Sequence, residues 1–134
     1  MKTRKVLVAE DDAALLKSIC VRLSAEGYEV LSAQDGYQAV AMAREHLPDM
    51  LVLDINMPAG DGFSVQERVW RMVSMRRTPI VYITGDGSQH LFERAHKLGA
   101  RSFLKKPFSS SELVCAVREA LSENEYEEQS LMVG

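Results

Sequence analysis

Five short apolar runs alternate with five amphipathic segments along this chain, and this alternation limits its possible folds more than any other feature. The apolar runs predict strands over residues 5–9, 28–33, 50–53, 80–83 and 102–104. Apolar residues at helical spacing predict helices over residues 13–25, 36–46, 63–75 and 88–98, and after Ser109. Strand–helix repeats with short connections predict parallel strands and helices on both faces of one sheet. We therefore expect a doubly wound α/β domain.

Local signals mark where several of these helices begin and end. Asp12 directly precedes the first helix, where an acidic residue makes a good N-terminal cap. Gly27 lies where that helix should stop. Ser109 and Glu112, three residues apart, have the pattern of a capping box at the start of the last helix.

The length and charge of the chain exclude several classes of function. Its 134 residues suffice for one hydrophobic core, so we assign residues 1–122 to one domain and 123–134 to an acidic tail that we expect to be mobile. The formal net charge of −3 predicts no attraction to nucleic acid or to an anionic membrane. The apolar runs are far shorter than the roughly 20 residues of a membrane span, and the N-terminus does not resemble a signal peptide. We expect a cytoplasmic protein.

The two cysteines give no sign of a disulfide or a zinc site. Cys20 and Cys115 are far apart in sequence, and neither has a second cysteine or a histidine at ligand spacing. We expect both to be free thiols buried in helices. Any metal site must therefore use oxygen ligands.

Polar residues follow four of the five predicted strands. They are Glu10 and Asp11 after the first strand, Asp54 after the third, Thr84 after the fourth, and Lys105 and Lys106 after the fifth. Because the carboxyl ends of parallel strands meet at one edge of the sheet, we expect these side chains to converge. Carboxylates together with a backbone carbonyl suit a hard cation such as Mg²⁺. A lysine and a hydroxyl suit the oxygens of a phosphoryl group.

Four motifs make the chain similar to a known family. In order they are "LVAEDD", "PDMLVLDINMPAGDG", "PIVYITG" and "GARSFLKKPF". Together they resemble the receiver domain of two-component response regulators over a stretch from about Lys5 to Leu121. The resemblance implies a flavodoxin-like (βα)5 fold with a five-stranded parallel sheet in the order 2-1-3-4-5.

The resemblance also implies a role for each of several residues. Asp54 corresponds to the phosphoacceptor, and Mg²⁺ is the implied cofactor. Asp11 corresponds to its direct ligand and Glu10 to a partner that acts through water, while Asn56 lies where the family uses a backbone carbonyl. Three further residues are implied at the switch: Lys106 as the active-site lysine, Thr84 as the switch hydroxyl and Phe103 as the aromatic switch. The bond between Lys106 and Pro107 resembles one that is cis in the family.

The implied function is a phosphoacceptor switch rather than an enzyme with external substrates. A histidine kinase or a phosphotransfer protein would donate the phosphoryl group from a phosphohistidine, and a downstream protein would read the result. The fourth helix, fifth strand and fifth helix form the implied readout surface and a surface for a homodimer. The chain departs from the family where Glu10 replaces the commoner Asp, where Gly85 replaces a residue such as Ala, and where Phe103 replaces the frequent Tyr.

Three alternatives belong to other functional classes. A phosphatase of the haloacid dehalogenase type needs a second Asp two positions after its nucleophile, where this chain has Asn56. A flavodoxin-like cofactor binder would need a Ser-, Thr- and Gly-rich loop after the first strand, where this chain has acids. A degenerate receiver would act only as a docking module, although the implied side chains are all present here.

Overall fold

The computed structural model confirms a five-stranded parallel sheet in the order β2-β1-β3-β4-β5. It describes the backbone of residues 2–133 and the side chains of residues 2–123. The strands are β1 (Lys5–Ala9), β2 (Glu29–Ala33), β3 (Met50–Asp54), β4 (Ile80–Thr84) and β5 (Ser102–Lys105). The helices are α1 (Ala13–Ala25), α2 (Gly36–His46), α3 (Gly62–Trp70), α4 (Gln89–Lys97) and α5 (Ser110–Val133).

The sheet is covered by helices on both faces, which divides the core into two layers. Successive side chains of a strand point to opposite faces, so that Val6 and Val8 of β1 pack with α1 and α5. Leu7 and Ala9 of the same strand pack with α2 and α3. Strands buried on both faces explain why the apolar runs are continuous rather than alternating.

Two predicted helix starts are confirmed by their hydrogen bonds. The Asp12 carboxylate accepts hydrogen bonds from the backbone N–H groups of Ala14 and Leu15, at 3.0 and 3.1 Å. At the start of α5, the N–H of Glu112 donates to Oγ of Ser109 at 3.0 Å, and the N–H of Ser109 donates to Oε1 of Glu112 at 3.3 Å. The two reciprocal hydrogen bonds between Ser109 and Glu112 form a capping box.

The prediction of one continuous helix over residues 63–75 is wrong in its last third. Helix α3 ends at Trp70, and a separate 3₁₀ helix covers Val73–Met75. Met72 between them has an extended backbone, with φ −73° and ψ 129°. The Trp70 indole N–H donates to the carbonyl oxygen of Thr78 at 2.9 Å, which holds the returning chain against α3.

The last helix is longer than the apolar spacing up to Leu121 suggests. The backbone of α5 is helical as far as Val133. The side chains of residues 124–134 lie outside the described residues, and the mobility expected for residues 123–134 stays a prediction.

The cysteines are free, but their predicted burial is wrong for one of them. Cys20 on α1 is half-buried, whereas Cys115 on α5 is exposed. Its neighbours Val114 and Ala116 face the core, so that Cys115 lies on the outer side of the helix. Within residues 2–133 we find no helix with both the length and the apolar character of a bilayer span.

Candidate functional site

Three carboxylates meet at the carboxyl ends of two neighbouring strands. Strands β1 and β3 pair in parallel with Ala9 opposite Leu53, which places Glu10 and Asp11 beside Asp54. One carboxylate oxygen from each of the three lies within 4.8 Å of the others. Glu10 and Asp54 are buried and Asp11 is exposed. The predicted convergence of these acids is thus present, with two buried members and one that faces solvent.

Lys106 is the lysine that enters this cluster. Its ammonium nitrogen lies 3.2 Å from Oδ2 of Asp54 and 2.5 Å from Oε1 of Glu10. Its backbone N–H donates to the carbonyl oxygen of Thr84 at 2.7 Å, and the following bond to Pro107 is cis. The neighbouring Lys105 is exposed.

The buried carboxylate of Glu10 has an unusual electrostatic environment. Burial raises the pKa of Glu10 to about 7, although the Lys106 ammonium and the backbone N–H of Asp12 favour the ionised form. Burial alone would lower the pKa of Lys106, but the contact with Glu10 and the charge of Asp54 outweigh it, so that the pKa is raised. Lys106 is therefore a cation held between two carboxylates.

The donor set fits a hard divalent cation. Oε1 of Glu10 is buried and accepts no hydrogen bond of good geometry from any described residue, despite the close approach of Lys106. Three carboxylates against one ammonium leave an excess of negative charge, which a cation with oxygen ligands would offset. The side chain of Asn56 is exposed, and its backbone N–H donates to Oδ1 of Asp54 at 3.2 Å. The role of its carbonyl as a ligand stays a prediction.

The two predicted switch residues lie on the strands next to the cluster. Thr84 ends β4 and is fully buried, and its hydroxyl oxygen accepts a hydrogen bond from the backbone N–H of Asp86 at 3.1 Å. Phe103 on β5 is half-buried and packs edge-on against Phe92 of α4, with ring centroids 5.6 Å apart. The Thr84 hydroxyl therefore contacts the segment that leads into α4, and the Phe103 ring contacts α4 itself.

Comparison with known proteins places the chain in a family. The family model of the response regulator receiver domain matches residues 6–118. The chain belongs to this family. Receiver domains are the regulatory domains of two-component systems, which accounts for the acids, the lysine and the hydroxyl at one edge of a flavodoxin-like sheet.

Two curated relatives of this receiver domain are named as transcriptional regulatory proteins. The transcriptional regulatory protein PdtaR of Mycobacterium tuberculosis is 40% identical over 120 residues, which cover 89% of this chain and 57% of PdtaR. The phosphate regulon transcriptional regulatory protein PhoB of Escherichia coli is 32% identical over 115 residues, which cover 86% of this chain and 50% of PhoB. The chain thus spans about half the length of these relatives.

Solved structures of receiver domains superimpose closely on this one. The chemotaxis protein CheY4 of Vibrio cholerae has a TM-score of 0.84 and 30% identity, and the match covers 90% of this chain and all of CheY4. The receiver domain of the sensor histidine kinase PA1611 of Pseudomonas aeruginosa has a TM-score of 0.81 and 28% identity, with 90% and 99% of the two chains covered. That structure contains a magnesium ion in its active-site cleft.

Two features near the site of this receiver domain were not predicted from its sequence. A Cβ atom on Gly36 would lie 2.0 Å from the carbonyl oxygen of Gly60, so that the start of α2 touches the loop between β3 and α3. Gln66 and Tyr82 form a buried polar pair between α3 and β4. A glycine at a helix start and a glutamine among apolar helix residues are the signals that point to these contacts.

Proposed function

We propose that this receiver domain is a phosphoacceptor switch that takes a phosphoryl group onto Asp54. The carrying observation is the position of the Asp54 carboxylate, buried at the end of β3 with the Lys106 ammonium 3.2 Å away. A carboxylate oxygen of Asp54 attacks the phosphorus of a phosphohistidine, the phosphorus–nitrogen bond breaks, and the histidine nitrogen keeps the electron pair. Lys106 donates to a phosphoryl oxygen and stabilises its negative charge.

The acid cluster would hold Mg²⁺ during this transfer. Asp11, Asp54 and the carbonyl of Asn56 are the proposed direct ligands, and Glu10 acts through water. Bound Mg²⁺ supplies positive charge that offsets repulsion between the carboxylates and the incoming phosphoryl oxygens. The magnesium ion in the PA1611 receiver domain supports this assignment by similarity.

Thr84 and Phe103 would convert the modification into a change of surface. A phosphoryl oxygen on Asp54 is a charged acceptor, and a hydrogen bond to such a group is worth roughly 1.5–3 kcal/mol. The Thr84 hydroxyl moves toward it and gives up its bond to Asp86. The space that it vacates admits the ring of Phe103, which has no hydroxyl and responds through packing alone.

The proposed partners follow from this mechanism. A histidine kinase or a phosphotransfer protein donates the phosphoryl group, and a downstream protein binds the surface formed by α4, β5 and α5. A homodimer through the same surface is a further proposed assembly. A partner that binds more tightly when the Phe103 ring occupies the space vacated by Thr84 shifts the population toward that state.

Phosphorylation can be tested directly by intact-mass measurement. The wild-type protein, incubated with acetyl phosphate and Mg²⁺, should gain the mass of one phosphoryl group. Asp54→Asn should gain none, because the nucleophilic oxygen is lost. Asp61→Asn is the matched control, since Asp61 caps α3 outside the acid cluster and the variant should be labelled as wild type is. A full adduct on Asp54→Asn would refute the assignment.

A further inference from the structure

Two buried polar side chains play no part in the proposed phosphoryl chemistry. Gln66 on α3 is 3% exposed, and Tyr82 on β4 is fully buried. The Tyr82 hydroxyl donates a hydrogen bond to Oε1 of Gln66, and Nε2 of Gln66 donates to the backbone carbonyl of Leu98 at 2.7 Å. Leu98 directly follows α4. A buried hydrogen-bonded chain therefore joins β4, α3 and the C-terminal end of α4.

The donors and acceptors in this series of hydrogen bonds allow only one orientation of the Gln66 amide. A carbonyl oxygen accepts hydrogen bonds, so the Gln66 atom that faces Leu98 must be the amide nitrogen. The amide oxygen then faces Tyr82, whose hydroxyl must donate to it. The carbonyl oxygen of Gly62 lies 3.2 Å from the same hydroxyl as a second acceptor. Loss of the Tyr82 hydroxyl would leave Oε1 of Gln66 without this donor, and loss of the Gln66 amide would leave the carbonyl oxygen of Leu98 without its side-chain donor.

An aromatic contact connects the same three elements. The ring centroids of Tyr82 and Phe63 are 5.0 Å apart, and the guanidinium carbon of Arg94 lies 4.3 Å from the centre of the Phe63 ring. Phe63 belongs to α3, and Arg94 lies in the second half of α4. A cation above an aromatic face is an attractive contact. The second half of α4 is thus held to α3 at two separate positions.

The first half of α4 is attached through different groups. Of the α4 side chains, all of which belong to the described residues, only Ala95 is buried. The loop before the helix is tied to β4 by the hydrogen bond from Asp86 to the Thr84 hydroxyl. Phe92, in the first half, packs edge-on against Phe103. Apart from Leu91, which is partly buried against the core, the groups that hold this half are therefore the two that the proposed switch moves.

We propose that Gln66 and Tyr82 are positioning residues that fix the C-terminal end of α4, so that the helix pivots about Leu98 when Asp54 is modified. The pivot, which is this rotation of α4 about Leu98, rests on the proposed switch as its trigger. The anchor, which is the set of hydrogen bonds that joins Tyr82, Gln66 and Leu98, is present in the unmodified protein. The surface that changes for a partner is then the first half of α4, next to Phe103. The last turn of the helix keeps its position.

Native-state hydrogen exchange of the unmodified protein tests the anchor. The informative amides are those of Leu98, Gly99 and Ala100, which bond to carbonyls within α4. Gln66→Met retains the side-chain length but removes both hydrogen bonds, and these amides should exchange about tenfold faster than in wild type. Glu67→Gln, which changes only an exposed contact with Arg71 directly after the same helix, should leave them unchanged.

A second variant keeps the test decisive if Gln66→Met does not fold. Tyr82→Phe retains the ring and removes only the hydroxyl, so that Gln66 loses its orienting partner. The same three amides should exchange about threefold faster. Exchange at these amides that matches wild type in the folded variants would overturn the anchor.

Beryllofluoride with Mg²⁺ tests the pivot. In the wild-type protein, amide chemical shifts should change over residues 84–93 and at Phe103. The shift changes of residues 96–100 should be only a small fraction of these. In Gln66→Met the changes should extend over residues 96–100. Equally large changes at both ends of α4 in wild type would overturn the pivot. If no shift changes near Asp54, the proposed switch itself fails, and the exchange experiment still decides the anchor.

Discussion

Lys106 lies closer to Glu10 than to Asp54, with its ammonium nitrogen 2.5 Å from Oε1 of Glu10 and 3.2 Å from Oδ2 of Asp54. The lysine thus contacts an oxygen that accepts no well-formed hydrogen bond from the described residues. A divalent cation that enters the cluster meets a like charge at this position and competes with it for the same carboxylates. We therefore expect Lys106 to oppose metal binding, although it supports phosphoryl transfer in the proposed function.

Replacing Lys106 should separate these two effects. Lys106→Met removes the competing cation, so that Mg²⁺ affinity should rise about threefold to tenfold. Phosphorylation by acetyl phosphate should slow by about 100-fold, because the variant loses a donor to the transferred group. Magnesium titration followed by amide shifts gives the affinity, and intact mass against time gives the rate.

The adjacent lysine provides the control for this experiment. Lys105 is exposed, so Lys105→Met should leave the rate of phosphorylation close to that of wild type. An equal loss of rate in both variants would show that the general positive charge of this segment matters, rather than the contact of Lys106 with the carboxylates.

The buried Glu10 should make the stability of the metal-free protein depend on pH. Its pKa is raised from 4.5 to about 7 on folding, so the folded protein retains a proton that the unfolded chain releases within this window. The stabilising contribution is fully present below pH 4.5 and is lost as the pH rises through 7. Glu10→Gln cannot ionise, and at pH 8 the free energy of unfolding should exceed that of wild type by about 2 kcal/mol.

Urea denaturation in the presence of a chelator measures this difference at several pH values. The advantage of Glu10→Gln over wild type should grow between pH 4.5 and 7 and then level off. The exposed Glu67→Gln serves as the control and should show no such trend. Parallel curves for wild type and Glu10→Gln would mean that Glu10 does not titrate in this window.

Thr84 should be required for the surface response but not for the modification itself. In Thr84→Ala, Asp54 should still accept beryllofluoride, because Lys106 and the acid cluster remain. The ring resonances of Phe103 should then no longer change when beryllofluoride is added, because the space beside the ring is open with or without the modification. A full Phe103 response in this variant would rule out the proposed route from Asp54 to the surface.

Two glycines near the site should respond very differently to an added methyl group. In Gly36→Ala the new Cβ would meet the Gly60 carbonyl oxygen at 2.0 Å, so the loop beside Asn56 must shift. We expect a loss of about 2–4 kcal/mol in the free energy of unfolding. Gly85→Ala has nothing within 4 Å of its Cβ and should change stability by less than about 1 kcal/mol. Thermal or urea unfolding of both variants provides the comparison.

The fold was predictable because its signals are local. The continuous apolar runs of β3 and β4 follow from burial on both faces, and the caps at Asp12 and Ser109 depend only on residues within one turn. The break after Trp70 was not predictable in this way, since Met72 and Val73 continue the helical spacing. The hydrogen bond from Trp70 to Thr78, eight residues away, accompanies that break.

Only part of the candidate site and its surroundings could likewise be predicted from the sequence. Its acids, lysine and hydroxyl could be assembled from the sequence, because the parallel topology brings the strand ends together. The choice of Lys106 over Lys105 also agrees with the structure. The contacts of Gln66 were not predicted, because its partners Tyr82 and Leu98 are 16 and 32 residues away and a buried glutamine does not by itself indicate which groups it contacts.

The ring of Trp70 lies against Gly99, where a Cβ atom would come within 3.0 Å of the indole. Trp70 is the only tryptophan of the chain, and Gly99 closes the turn that follows α4. Tryptophan emission, excited at wavelengths that the four tyrosines do not absorb, therefore originates at one place, the junction of α3 with the end of α4. The chain carries its own optical probe of that junction, which can be monitored in stopped-flow mixing without an attached dye.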